Sequence, residues 1–483
     1  MASSTRNVPY PGWEALWLRL TSGLSQLATQ VLEIWQSVSV PSAELVLRVE
    51  KFAHTLAARL ICDPLVADLL QSALETDAVQ SKAVLLAKQR PYARLQKTAQ
   101  EVRVRLLGGT VENFETSYYL SRAPRGPGRP SRKRGIKGNG FYPALELLGI
   151  QDRVTPAVAS AVGLQLATSP VDEAKKMLEE HGLPMNSKTV ARIGRNLASR
   201  ALDFDRELIG RMGDNLKGGL CGGLRLGVGM DGGRLRTRVK RGRRRRSTRR
   251  YRYHGVWREP KVFVIYELDS KGRRKKGGLC IYGGTMGQAD EFFELLAAQL
   301  CFIGAHLADE VVFLADGAEW IWNRITWLLE KTGIERSKVT EILDFYHVVE
   351  RVHEIAKTQT GWTEREQALW AKSRVAELKA GHPSTMMKAC SQANDELSHY
   401  FYNNESRMDY RRYRGSGQPI GSGAVESGIR RIVNLRLKGN GIFWGIKNAQ
   451  GMLSLRCQIV AGRWDKFMAT ITRPSEQWRD CVA

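Results

Sequence analysis

Three acids stand where a phosphodiester-processing centre can be assembled. Asp231 ends the run Leu224-Arg-Leu-Gly-Val-Gly-Met-Asp231, and Asp316 ends Glu310-Val-Val-Phe-Leu-Ala-Asp316. Glu426 lies in Gly421-Ser-Gly-Ala-Val-Glu426-Ser-Gly-Ile-Arg-Arg431. Carboxylates are the natural ligands of hard divalent ions such as Mg²⁺ or Mn²⁺. Two such ions about 4 Å apart activate a nucleophile, stabilise a leaving group and offset phosphate charge. The Gly-Ser-Gly before Glu426 reads as a turn and N-cap, which puts Glu426 in the first turn of a helix with Arg430 on its face four residues on. There the acid can hold a metal while Arg430 meets a phosphate; complementing the helix dipole is the alternative role for Glu426. Asp344-Phe-Tyr-His347 adds a second polar pair: His347 to steady a scissile phosphate with Asp344 orienting it, or a buried structural pair.

Placing these acids together requires strands. Leu224 to Asp231, Lys261 to Tyr266, Leu279 to Tyr282, Glu310 to Asp316 and Val339 to Tyr346 alternate or run apolar. Amphipathic helices are predicted at Ala289 to Phe302 and Trp320 to Lys331. Three strands, a helix, a strand, a helix and a fifth strand is the element order of an RNase H-like α/β core with a mixed five-stranded sheet. Asp316 and Glu426 are 110 positions apart. That is too long for a direct return from the fifth strand, so a helical insertion is predicted between them.

The charge balance points to a polyanionic partner. Lys and Arg total 74 against 49 Asp and Glu, a formal net charge of +25, which favours nucleic acid. The densest run, Arg234 to Arg252, holds 12 Lys or Arg and no acid. It reads as a loop between the first two strands whose Arg243, Arg244, Arg245 and Arg246 contact DNA phosphates. Upstream, Gly128-Arg129-Pro130 sits in a basic Pro/Gly linker. It resembles hooks that lay an Arg in the minor groove, with a solvated linker as the alternative. Val171 to His181, a Gly182 turn, and a helix capped by Ser187 with Lys188, Arg192 and Arg195 on it suit either a helix-turn-helix reading the major groove or a packed helix pair.

The N-terminal region reads as helical. Trp13, Trp17, Leu20, Leu24, Leu27, Val31, Ile34 and Val38 form a heptad-like seam, for self-association into a homo-oligomer or for packing within the chain. A further helical stretch is predicted from Glu44 to Leu106. The domain plan is therefore 1–120 helical, 121–140 linker, 141–215 mainly α-helical and DNA-binding, 220–348 first core part, 349–415 helical insertion, and 416–483 core helices carrying Glu426. Seven scattered Cys without a C-x-x-C pair argue against a disulfide framework and for a reducing compartment. No signal peptide or membrane span is expected, and a cytoplasmic, nucleoid-associated protein is.

The chain resembles the DDE transposases of bacterial insertion sequences, of the ISKra type. The matching stretches are Gly229-Met-Asp-Gly-Gly233, Ala315-Asp-Gly-Ala-Glu-Trp-Ile-Trp-Asn323, Leu343-Asp-Phe-Tyr-His-Val-Val-Glu350, Gly421-Ser-Gly-Ala-Val-Glu-Ser427, Arg436-Leu-Lys-Gly-Asn-Gly-Ile-Phe-Trp444 and Leu453-Ser-Leu-Arg456. They occur in the family's order, and the resemblance runs from about residue 135 to 470. It implies an RNase H-like core, two Mg²⁺ ions, double-stranded DNA as partner (element ends and target), and the family's three acids at Asp231, Asp316 and Glu426. Relatives of this type carry a Cys-containing stretch where this chain has Gly135-Ile-Lys-Gly-Asn-Gly-Phe-Tyr-Pro143, so no structural zinc is expected there. A nuclease without strand transfer and a transposase-derived DNA-binding protein are the rival functions.

Overall fold

The computed structural model describes residues 13–37, 42–121, 139–213, 219–243, 251–390, 395–439 and 441–474. The chain divides into two compact units, Met1–Leu197 with Asp465–Cys481, and Ala198–Trp464 with the last two residues. Arg129 and Arg244 to Arg246 lie outside the described residues, as does most of the 121–140 linker.

The first unit opens with helices α1 (Trp13–Gln36), α2 (Ala43–Ala57), α3 (Asp63–Glu75) and α4 (Asp77–Gln89). The predicted seam is not the buried line of α1: its Leu20, Leu27, Val31 and Ile34 are half-buried and its Trp17 and Leu24 about half exposed, whereas the buried residues are Leu16 and Gly23, outside the seam. A side chain at Gly23 would meet the Leu60 carbonyl, which is why the helices approach closely there.

The helical reading of Glu44 to Leu106 is corrected: helix ends at Gln89. Strands β1 (Ala93–Arg105) and β2 (Val111–Ser121) follow as a long antiparallel hairpin, joined on β2 by β3 (Asn139–Phe141). The period-2 pattern Val102-Arg-Val-Arg105, then Leu-Leu-Gly-Gly, is a strand-and-turn signal that wins over helix propensity. Asp63 clamps the hairpin turn, accepting from the Gly108 and Thr110 amides and the Thr110 hydroxyl at 2.8–3.1 Å. Helices α5 (Pro143–Leu147), α6 (Pro156–Thr168), α7 (Val171–Glu180) and α8 (Ser187–Gly210) come next. The cap of α8 is Asn186, not Ser187: its side-chain oxygen accepts from the Thr189 amide at 2.8 Å, while Ser187 is already helical and donates to Asp172.

The second unit is a mixed α/β domain. Its strands are β4 (Arg225–Gly232), β5 (Leu235–Arg241), β6 (Arg252–Arg258), β7 (Lys261–Glu267), β8 (Cys280–Thr285), β9 (Glu310–Ala315) and β10 (Val339–Leu343). Five of them form one sheet in the order β10-β9-β4-β7-β8. β4 is parallel to β9, β9 is parallel to β10, and β7 is antiparallel to both β4 and β8. β7 is buried throughout, as a central strand covered on both faces must be.

The remaining two strands, β5 and β6, pair as a separate antiparallel ribbon. This corrects the loop reading of Arg234 to Arg252: alternating Arg236-Thr-Arg-Val-Lys240 is a strand pattern despite its charge. Helices α9 (Ala289–Ile303), α10 (Glu319–Trp322) and α11 (Ile325–Thr332) link the sheet strands. After β10 come α12 (Phe345–Thr358), α13 (Glu364–Lys379), α14 (Pro383–Cys390), α15 (Asp395–Asn404) and α16 (Tyr410–Gly415), so that among the described residues every element between the fifth sheet strand and α17 (Gly423–Ile429) is helical. α18 (Ile446–Val460) and α19 (Trp464–Ile471) end the described chain.

Side-chain alternation sorts the helices onto two faces. Phe263 of β7 packs edge-on against Phe292 of α9, whereas its neighbour Val264 faces Val425 of α17 together with Gly229. α18 covers the α17 face through Leu453, over Gly284. No described helix is long and apolar enough to cross a membrane.

Candidate active site

Strand register brings the acids together. Met230 pairs with Ala315 across the parallel β4–β9 ladder, and Leu343 pairs with Ala315 across β9–β10. The residues one step on, Asp231, Asp316 and Asp344, therefore stand side by side at the carboxyl ends of three adjacent parallel strands. Asp231 follows Gly229 by two residues, so it points to the same face as Gly229, the one covered by α17. Gly229 is needed for that approach: a Cβ there would lie 3.1 Å from Val425 and 3.2 Å from Val264.

Glu426 sits in the first turn of α17. The Ser422 hydroxyl donates to its Oε1 at 2.9 Å, and the Ser422 amide donates to Asp344 Oδ2 at 2.8 Å. Asp344 thus ties the turn carrying Glu426 to the end of β10. It also caps α12, accepting from the Tyr346 amide at 2.7 Å, and its carboxylate lies 3.3 Å from His347 Nδ1. The fifth strand consequently ends at Leu343, not at Tyr346, because Asp344 starts a helix. His347 lies in the first turn of that helix rather than at a strand end.

Asp344, His347 and Glu426 each offer a ligand atom within 4.8 Å of the others, a grouping that can hold a metal ion. This trio differs from the predicted Asp231, Asp316 and Glu426. Electrostatics distinguishes the acids. Asp344 is fully buried, yet its carboxyl is held below the usual range, because His347 and the Ser422 amide offset the cost of burial. Asp231 is pushed up to about 6, chiefly by burial, with Asp316 and Glu426 adding like charge. Asp316 is raised by burial too, with Glu259 and Asp344 contributing. Each accepts a backbone amide from its own turn, Gly232 for Asp231 at 2.6 Å and Ala318 for Asp316 at 3.1 Å. His347 is raised to about 9, mainly by Asp344, with Asp316 and Asp231 acting in the same sense. The centre is thus one charge cluster. Asp344 is satisfied by protein donors, and Asp231 and Asp316 are crowded carboxylates favouring a cation.

No protein-family model, curated protein or solved structure matches this chain.

The predicted DNA contacts fall in several places. Lys188 and Arg195 are exposed on α8. Arg192 is exposed as well but is engaged: its guanidinium meets Asp152 Oδ1 at 2.6 Å, and Asn196 donates to the same oxygen at 2.6 Å. Arg430 is exposed at the end of α17, and Arg243 is exposed just past β5. Two residues near the acids were not singled out from the sequence. Glu259, at the start of the approach to β7, biases Asp316 and lies against Gly232. Tyr400, from α15, stacks on Gly317 beside Asp316, and its buried hydroxyl has no hydrogen-bond partner among the described residues. Only Glu259 left a trace in sequence, as an acid beside Pro260 at a strand start; Tyr400 is brought in by long-range packing.

Proposed function

We propose that this chain is a DDE-type DNA transposase with an RNase H-like core, which cleaves the ends of its element and joins the freed 3′-OH to target DNA. One observation carries the reading. Asp231 and Asp316 are crowded, partly buried carboxylates on one face at adjacent strand ends, facing the helix that presents Glu426. The strand order supports the fold assignment. Counted along the sheet strands alone, it runs third, second, first, fourth, fifth, with the first, fourth and fifth parallel.

The donor set suits a hard cation: several carboxylate oxygens at rigid element ends, with one imidazole. Asp231, Asp316 and Glu426 would hold the ions. When bound, such ions supply charge neutralisation and activate the attacking oxygen. The chain's own residues do the rest. Asp344 positions Glu426 through Ser422 and orients His347. His347, one-third exposed and held protonated by its acidic neighbours, offers a donor to a phosphate oxygen. Its partner is double-stranded DNA, attracted by the +25 charge.

The test is to incubate purified protein with labelled DNA flanking its gene, a target plasmid, and Mg²⁺ or Mn²⁺. Joined products are the expected result. Cleavage without joining would replace the reading with a nuclease. End binding with neither would replace it with a DNA-binding derivative.

A further inference from the structure

The β5–β6 ribbon begins four residues after Asp231, and one of its faces alternates cations with aromatic rings. Arg236 pairs across the ribbon with Trp257, Arg238 with Gly255 and Lys240 with Tyr253, so these side chains share a face. Trp257 lies directly opposite Arg236, and Tyr253 lies diagonally from Arg238. The Arg236 guanidinium is 5.3 Å from the Trp257 ring and 4.9 Å from Phe443, Arg238 is 5.3 Å from Tyr253, and Lys240 is 4.8 Å from Tyr251. Phe443 comes from another segment. It fills the space above Gly255, where a Cβ would lie 2.8 Å from its ring. That segment is pinned along the ribbon by Arg238 N–H to the Trp444 carbonyl at 2.8 Å and Trp444 N–H to the Arg236 carbonyl at 3.1 Å. The ladder is therefore a fixed platform rather than a set of loose side chains.

Water is a poor environment for this face. Trp257 is 49% exposed, Tyr253 47% and Phe443 39%. A phosphate clamp for duplex DNA needs the cations alone, since bases stacked in a duplex offer no face to a ring. Cations tracking a backbone, interleaved with exposed rings, match what an unstacked strand requires.

We propose that this face binds single-stranded DNA by stacking bases on Trp257, Tyr253 and Phe443 while Arg236, Arg238 and Lys240 hold the phosphates. The inference rests on the reading above for its choice of DNA and for its purpose, namely holding a strand melted next to the cleavage centre.

The experiment measures binding of the full chain, without divalent metal, to labelled oligo(dT), to a blunt duplex and to oligo(U), for wild type, Trp257→Ala/Tyr253→Ala and Trp257→Phe/Tyr253→Phe. Thermal melts verify that each variant is folded. The alanine pair should weaken oligo(dT) binding roughly ten-fold or more and change duplex binding by less than about two-fold. The phenylalanine pair should restore most of the loss. Equal losses on single strand and duplex, or no loss on oligo(dT), would overturn the proposal and leave an electrostatic clamp. Oligo(U) bound ten-fold tighter than oligo(dT) would overturn the assignment to DNA. The assay involves no catalysis. A chain that passes it yet joins no DNA rejects the transposase reading alone, and a chain that joins DNA with the alanine pair binding oligo(dT) normally rejects only this one.

Discussion

At the residue scale the centre is a problem of crowded negative charge. Asp231 and Asp316 are held apart from bulk water, whereas Asp344 is neutralised by its own donors. Asp231→Asn and Glu426→Gln should each abolish DNA cleavage while leaving end binding nearly intact, because metal ligands act in the transition state. A cleavage assay beside a binding titration decides it; wild-type cutting by either variant would remove that residue from the centre. Asp344→Ala should behave differently. It leaves the α12 terminus and the Ser422 amide without an acceptor, so a melting-point drop should accompany the lost activity, on the order of 1–3 kcal/mol. A fully stable Asp344→Ala would show that this carboxylate does not organise the turn.

The same crowding sets a pH dependence. Asp231 titrates near 6 in the folded chain and near 4 when unfolded, so the protein holds its proton more tightly. Its contribution to stability is therefore complete below about pH 4 and is lost as pH rises through about 6. His347, raised to about 9, contributes fully below about pH 6.5 and loses its contribution as pH rises through 9. In EDTA, Asp231→Asn should match wild type near pH 4 and be more stable near pH 7, by on the order of 1–3 kcal/mol. Mn²⁺ should then stabilise wild type more than the variant. Calorimetry across this range checks both; a variant less stable at pH 7 would contradict the crowding of the carboxylates.

At the element scale, α17 depends on the flat stretch of β4 beneath it. Gly229→Leu must displace Val425, and with it the turn bearing Glu426. Cleavage should fall by at least about ten-fold, the loss expected from roughly 1.4 kcal/mol of misplaced transition-state contact. Unchanged turnover would mean that Glu426 is not held by this contact. On α8, the Arg192–Asp152 pair gives Arg192 a structural partner that sequence spacing did not reveal. Arg192→Ala should lower the unfolding free energy by about 1 kcal/mol or less, and Asp152→Ala, which also strands Asn196, by more; a melt of each variant checks the order. If α8 reads element ends, Lys188→Ala and Arg195→Ala should weaken binding to ends more than to random DNA. Equal weakening on both would leave phosphate contact as their role.

On the scale of the whole molecule, the formal charge of +25 favours a polyanionic partner, and the ribbon that follows Asp231 carries part of that charge. Replacing Arg243 to Arg246 by Ala should weaken binding to all duplexes and flatten the dependence of log affinity on log salt, by up to about 3.6 if each meets one phosphate. An unchanged slope in a salt titration would place these residues off the DNA.

The sequence by itself located the strands that carry Asp231 and lead to Asp316, the helices between the fifth sheet strand and Glu426, and the sign of the net charge. These are local facts: hydrophobic alternation, capping residues and composition follow from neighbouring residues alone. It misplaced what depends on partners distant in the chain. The Glu44 to Leu106 stretch reads as helix, yet from Ala93 it is the first strand of a hairpin whose turn is fixed by Asp63, a residue some 45 positions earlier. The arginine-rich run reads as a loop between the first two strands, its concentrated charge pointing to phosphates rather than to pairing. Only the clip from Trp444 and the cover from Phe443 show why it is held as a ribbon. Likewise, no spacing rule shows that Asp344 is consumed by Ser422 and His347 while Asp231 and Asp316 remain crowded. That division is set by which donors the fold brings within hydrogen-bond reach, and reach is a property of three-dimensional packing rather than of order along the chain.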